Sequence, residues 1–184
     1  MHDRFRNATA ELAKVGDAVD QTSVEQSCQM IANANQIVIY GCGRESLQLQ
    51  GFAMRLHHLG RKVAMQGDMA TPPLAVGDLF VTSAGPGEIS TVTALMQTAR
   101  NVGAQTLFLT ANPDTPSAKL ATHILHIPAQ TMANDQGKAR TSTLPMGSLY
   151  EGALFVLFEV MVLRLAELLG ETPDTMRTRH TNME

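Results

Sequence analysis

Gln36-Ile-Val-Ile-Tyr40 runs into Gly41-Cys42-Gly43-Arg44-Glu45-Ser46, and this passage decides the fold. The first five residues are mostly β-branched and apolar, and of strand length. The next six form a glycine turn. Leu47, Phe52, Leu56 and Leu59 then recur in a helical pattern facing inward, and Gly60 marks the helix end. Strand, glycine turn and helix in direct succession are the front half of a βαβ unit. Glycine lets the backbone turn tightly and come close to a ligand, and the first N–H groups of a helix lack partners. That geometry suits a phosphate.

The pattern repeats downstream. Lys62–Met65 is a short second strand, and the prolines of Gly67–Pro73 make a loop. Leu79–Ser83 is the third strand. It ends in a second glycine turn, Ala84-Gly85-Pro86-Gly87-Glu88, ahead of a helix through Val92, Leu95, Met96 and Ala99. Thr106–Thr110 and Ile124–Ile127 are strands four and five. Between them Asn112–Pro116 makes a turn and a helix start, with Thr115 as cap and Pro116 as first helical residue. Five apolar strands separated mostly by helices predict an α/β fold with a five-stranded parallel sheet flanked by helices. The order 2-1-3-4-5 ranks first, because it brings both glycine turns to one switch point. Two helices precede the core, the second capped by Thr22-Ser23. A polar segment spans Pro128 to Pro145, and a long helix runs from Ser148 to about Leu169. The expected organisation is one domain over 1–184: N-terminal helices 1–34, an α/β core 35–170 and a polar tail 171–184.

Composition narrows the function. The chain has 184 residues and is 44% hydrophobic, enough for a sizeable core. Charged residues are 17%, below the usual quarter, which points to surface covered by partner subunits. A net charge of −3 and 4% aromatics disfavour a nucleic-acid surface. The longest apolar stretch, Ala153–Leu163, is interrupted by Glu159 and too short for a bilayer. Cys28 and Cys42 lack CxxC spacing and read as reduced thiols. With no signal-peptide core near Met1, a cytoplasmic protein is expected. The pairs His57/His58 and His123/His126 point to different sides of their elements, so no metal site is expected.

Three residues carry candidate chemistry. Glu151 precedes an apolar run, where a desolvated carboxylate becomes basic near neutral pH. It also stands three residues after Ser148, the spacing of a capping box. His180 lies in the polar tail, where a histidine by itself reads as exposed, with a pKa range that suits proton transfer once a site is supplied. Arg44 is placed to meet an anion, Glu88 or solvent. Gly41-x-Gly43-x-x-Ser46 also approaches a dinucleotide fingerprint, with Asp68 as the ribose partner. That reading lacks the third glycine and leaves the second turn unexplained.

Gly41-Cys-Gly-Arg44 with Phe52–Gly60, Thr71-Pro72 before Gly77-Asp78-Leu79, Asn112-Pro113-Asp114, Leu144–Glu151 and Met176–Glu184 together resemble the 6-phospho-3-hexuloisomerases, sugar isomerase (SIS) domain proteins. The similarity runs almost end to end. It implies the three-layer SIS sandwich and isomerisation of a hexulose 6-phosphate to fructose 6-phosphate without a cofactor. It also implies a homotetramer, a dimer of dimers, with active sites shared between subunits and the tail reaching one of them. The family's acid/base glutamate falls on Glu151 and its C-terminal histidine on His180. Phosphate contacts fall on the two turns: Gly41, Gly43, Arg44 and Ser46, then Ser83, Gly85, Gly87 and Glu88. Three positions where the family carries serine hold Glu45, Ala84 and Pro86. Ser90 and Thr91 stand near enough to supply hydroxyls instead. A non-catalytic sugar-phosphate-binding SIS protein is the alternative.

Overall fold

The computed structural model describes residues 1–183. Two helices, α1 (His2–Ala18) and α2 (Gln21–Asn33), precede β1 (Ile37–Gly41), α3 (Gly43–His58) and β2 (Val63–Met65). Then come β3 (Leu79–Ser83), α4 (Ser90–Asn101), β4 (Gln105–Thr110), β5 (His123–His126), α5 (Ser148–Leu169) and the short α6 (Pro173–Arg177). The five strands are parallel, in the expected order β2-β1-β3-β4-β5.

Alternation along the strands builds three layers. Ile37, Ile39, Leu79, Val81, Leu107 and Leu109 face one way, onto α2, α3 and α5. Val38, Phe80 and Phe108 face the other way, onto Val92, Met96 and Ala99 of α4. The second layer is thin because the β4–β5 connection forms only a 3₁₀ turn, Ala118–Leu120, where a helix was expected. Thr115 does accept from the Ala118 N–H there, and it donates its hydroxyl to the Gly87 carbonyl.

Several local expectations are revised. Leu47 is exposed; Leu49, Phe52, Ala53 and Leu56 form the buried stripe of α3, the i, i+3, i+4, i+7 set that one helix face allows. Asp20, rather than Thr22 or Ser23, caps α2, its carboxylate accepting from both of their N–H groups. Gly60 takes the left-handed conformation just past α3, as a C-terminal stop requires.

Candidate active site

Strand pairing places the two glycine turns side by side. Gly41 is the register partner of Ser83, so β1 and β3 end together. Gly41 packs so closely on α3 that an added Cβ would lie 2.5 Å from Leu49. Gly87 sits at φ 92°, with its missing side chain replaced by the Asn112 carbonyl, 2.6 Å from an ideal Cβ. Backbone shape is what these glycines supply.

Between the turns lies a cleft of about 440 Å³ lined by the start of α3 (Cys42 to Glu45), Pro86, Thr131-Met132-Ala133 and the start of α5 (Tyr150, Glu151). The predicted base lies in it. The Glu151 side chain is 17% exposed and meets the Arg44 guanidinium at 2.9 Å. Arg44 is also held by the Ser148 hydroxyl at 3.3 Å and by the Met146 carbonyl. Arg44 therefore pairs with neither Glu88 nor solvent alone; Glu88 is exposed. The capping box is not formed. Gly147 caps α5 in the left-handed region, and Ser148 turns its hydroxyl to the Pro145 carbonyl instead. Burial raises the Glu151 carboxyl above the ordinary glutamate range; Arg44 pulls it down and Glu45 pushes it further up.

Glu45, legible in the sequence only as a replacement at a serine position, has its own set of partners. Its carboxylate accepts from the Ser83 hydroxyl at 2.5 Å and from the Gly85 N–H at 3.0 and 3.1 Å. Ser83 also meets the Tyr150 hydroxyl at 3.0 Å. Burial raises the Glu45 carboxyl, against the lowering effect of those two donors. Burial likewise drives the Tyr150 phenol well above its usual value, so it stays protonated. A signal for Glu45 existed, a carboxylate in the first turn of a helix beginning at a glycine loop. The predicted strand order brought the two turns together, but nothing in the sequence paired Glu45 with Ser83 and Gly85. Tyr150 lay inside the Leu144–Glu151 match with no role assigned to it, and Thr131 lay in the polar segment between Pro128 and Pro145.

The other predicted residues are placed as follows. Gly43 and Arg44 line the cleft, and Ser83 and Gly85 adjoin it through Glu45. The Ser46 hydroxyl accepts from Gln50 on the same helix. His180 is not brought to Glu151 within one chain. Its ring stacks on His58, at the far end of α3, with centroids 5.3 Å apart. Arg179 pins the tail there through Glu171 and the His58 carbonyl, each at 2.8 Å. With a rise of about 1.5 Å per residue, the length of α3, roughly 24 Å, separates that end from the cleft. Asp68, the ribose candidate, is exposed beyond β2. Among the described residues, no group of three or more His, Cys, Asp or Glu side chains is disposed to hold a metal. Glu184 lies outside the described residues.

The SIS domain pattern matches residues 30–156, which contain the whole sheet and both turns. The chain belongs to the SIS domain family. Similar proteins span nearly all of this SIS domain chain. The 3-hexulose-6-phosphate isomerase of Bacillus subtilis is 33% identical over 174 residues, covering 95% of this chain and 94% of that one. That of Mycobacterium gastri is 35% identical over 174 residues, covering 95% and 86%. Among solved structures, a Methanococcus jannaschii protein with an inferred function of 3-hexulose-6-phosphate isomerase superposes with a TM-score of 0.85 at 19% identity, covering 99% of each chain. At that identity the likeness concerns the fold.

Proposed function

We propose that this SIS protein is a phosphosugar isomerase that interconverts 3-hexulose 6-phosphate and fructose 6-phosphate through a cis-enediol, with no cofactor. The observation that carries the proposal is the shielded Glu151 carboxylate, held by Arg44 in a cleft between two glycine turns. The names of the full-length relatives support the substrate. Glu151 takes the proton from C2 of the 3-ketose, leaving the C2–C3 enediol, and returns it to C3. A second proton moves from the C2 oxygen to the C3 oxygen. A raised carboxyl pKa suits the first task, since the base must hold a proton between two carbons near neutral pH. Arg44 opposes the rise and favours the ionised carboxylate that begins the reaction.

His180 is proposed to serve the oxygen-to-oxygen transfer in a neighbouring subunit's cleft, since it stands far from Glu151 of its own chain. A homotetramer with shared sites accommodates this. Phe155, Val156, Val160 and Leu163 expose an apolar face of α5, beside Met54 of α3. No helix among the described residues is long and apolar enough to cross a membrane. A cytoplasmic location is proposed with the rest.

The test is a Glu151→Gln variant incubated with fructose 6-phosphate in deuterated water. It should bind the ester yet lose exchange of the hydrogen alpha to the carbonyl by about a hundredfold or more. Exchange at the wild-type rate would assign the base elsewhere. Absence of exchange in the wild type as well would favour a non-catalytic phosphosugar-binding role.

A further inference from the structure

The β3 turn already holds an anion. Gly85 directs its N–H, and Ser83 its hydroxyl, at a carboxylate that comes from the chain's own α3. The fit is close: a Cβ built on Gly85 would lie 3.0 Å from Glu45 Oε1 and 3.1 Å from both Thr131 and Tyr150. Glu45 also lines the cleft that contains Glu151. Its charge therefore faces any ligand that enters.

We propose that Glu45 is a specificity-determining residue, an internal anion that occupies the β3 cradle and competes with the phosphoryl group of the ligand. The inference deepens the phosphosugar reading and rests on it. Two negative charges sharing one small cradle repel, and the donors that satisfy one are lost to the other. A phosphate ester must either displace Glu45 or bind beside it, and in both cases its affinity is reduced. Neutral sugars meet no such opposition. The titratable groups lining the cleft with Glu45 are Cys42 and Arg44 from the start of α3, and Tyr150 and Glu151 from α5. Arg44 is engaged by Glu151, so the cradle's charge is not neutralised by it. Proton uptake by Glu45 relieves the competition, so phosphate ester affinity falls with rising pH more steeply when Glu45 is present.

The experiment titrates full-length wild type, Glu45→Gln and Glu45→Ser with inorganic phosphate and, separately, with fructose 6-phosphate at steps from pH 4 to pH 8. Fructose is the neutral control, and thermal melting checks that each variant is folded. At pH 8 at least one folded variant should bind both phosphorylated ligands at least about tenfold more tightly than wild type, with fructose unchanged. From pH 4 to pH 8 the wild type should lose affinity relative to Glu45→Gln, because the Glu45 carboxyl gives up its proton as pH rises through its raised pKa. Equal or weaker phosphate binding in both folded variants, or no phosphate binding by any of the proteins, overturns the proposal. Binding is read without turnover. Tightened binding with no isomerisation by wild type would therefore retain this inference while removing the catalytic reading.

Discussion

At the scale of single residues the cleft is governed by two carboxyl groups and one guanidinium. Arg44 lowers the Glu151 pKa against the effect of burial. Replacing Arg44 with methionine removes that opposing influence, so the Glu151 pKa rises further. As the proposed base Glu151 must be ionised, the acidic limb of the kcat/KM profile should move to higher pH, an effect measurable by isomerisation rates from pH 5 to 9. Glu45 makes a separate statement about stability. Its folded pKa lies above that of an ordinary glutamate, so the folded state binds its proton more tightly than the unfolded chain does. Stability from this group is greatest below the unfolded pKa and declines as pH rises through the folded value. In Glu45→Gln that decline is absent. Melting temperature relative to wild type should therefore increase from pH 4 to pH 8, the more so because Glu45 no longer pushes the Glu151 carboxyl up.

At the scale of elements, the start of α5 is the part most dependent on backbone shape. Met146 and Gly147 are both left-handed, at φ 54° and 75°. That conformation aims the Met146 carbonyl at Arg44 and starts α5 so that Tyr150 and Glu151 reach the cleft. An added Cβ on Gly147 would lie 2.6 Å from the Met132 backbone nitrogen. Gly147→Ala should cost about 1–3 kcal/mol in urea denaturation. It should also lower kcat more than a surface substitution of equal destabilisation, because the turn and the base move together.

At the scale of the whole molecule, the tail and the cleft sit at opposite ends of α3, and the proposed shared site joins them through assembly. Removing residues 176–184 should abolish turnover while leaving the far-ultraviolet circular dichroism in place. Subunit sharing predicts more. Glu151→Gln and His180→Ala, each inactive alone, should regain activity when unfolded together and refolded as mixed oligomers. In such an oligomer one chain's intact Glu151 meets the other's intact His180. No recovery in demonstrably mixed oligomers would confine His180 to its own chain. Phe155→Glu, placed on the exposed face of α5, should shift the protein to a smaller species in light scattering.

Much of this was legible from order along the chain. Continuous apolar runs such as Ile37-Val38-Ile39 and the glycines after β1 and β3 determined the parallel sheet and its switch point, because both signals are local and repeat. The same locality placed Glu151 at a helix start, beside an apolar run. The three-dimensional arrangement decided what those residues touch. Ser148 and Glu151 had the spacing of a capping box, yet Arg44, 107 positions earlier than Glu151, took the carboxylate. Glu45 looked like a substituted serine until Gly85 was found donating to it from another strand's turn. Spacing along a helix or strand specifies local geometry, whereas a side chain's partner across the sheet is chosen by packing and charge among groups that only folding brings together.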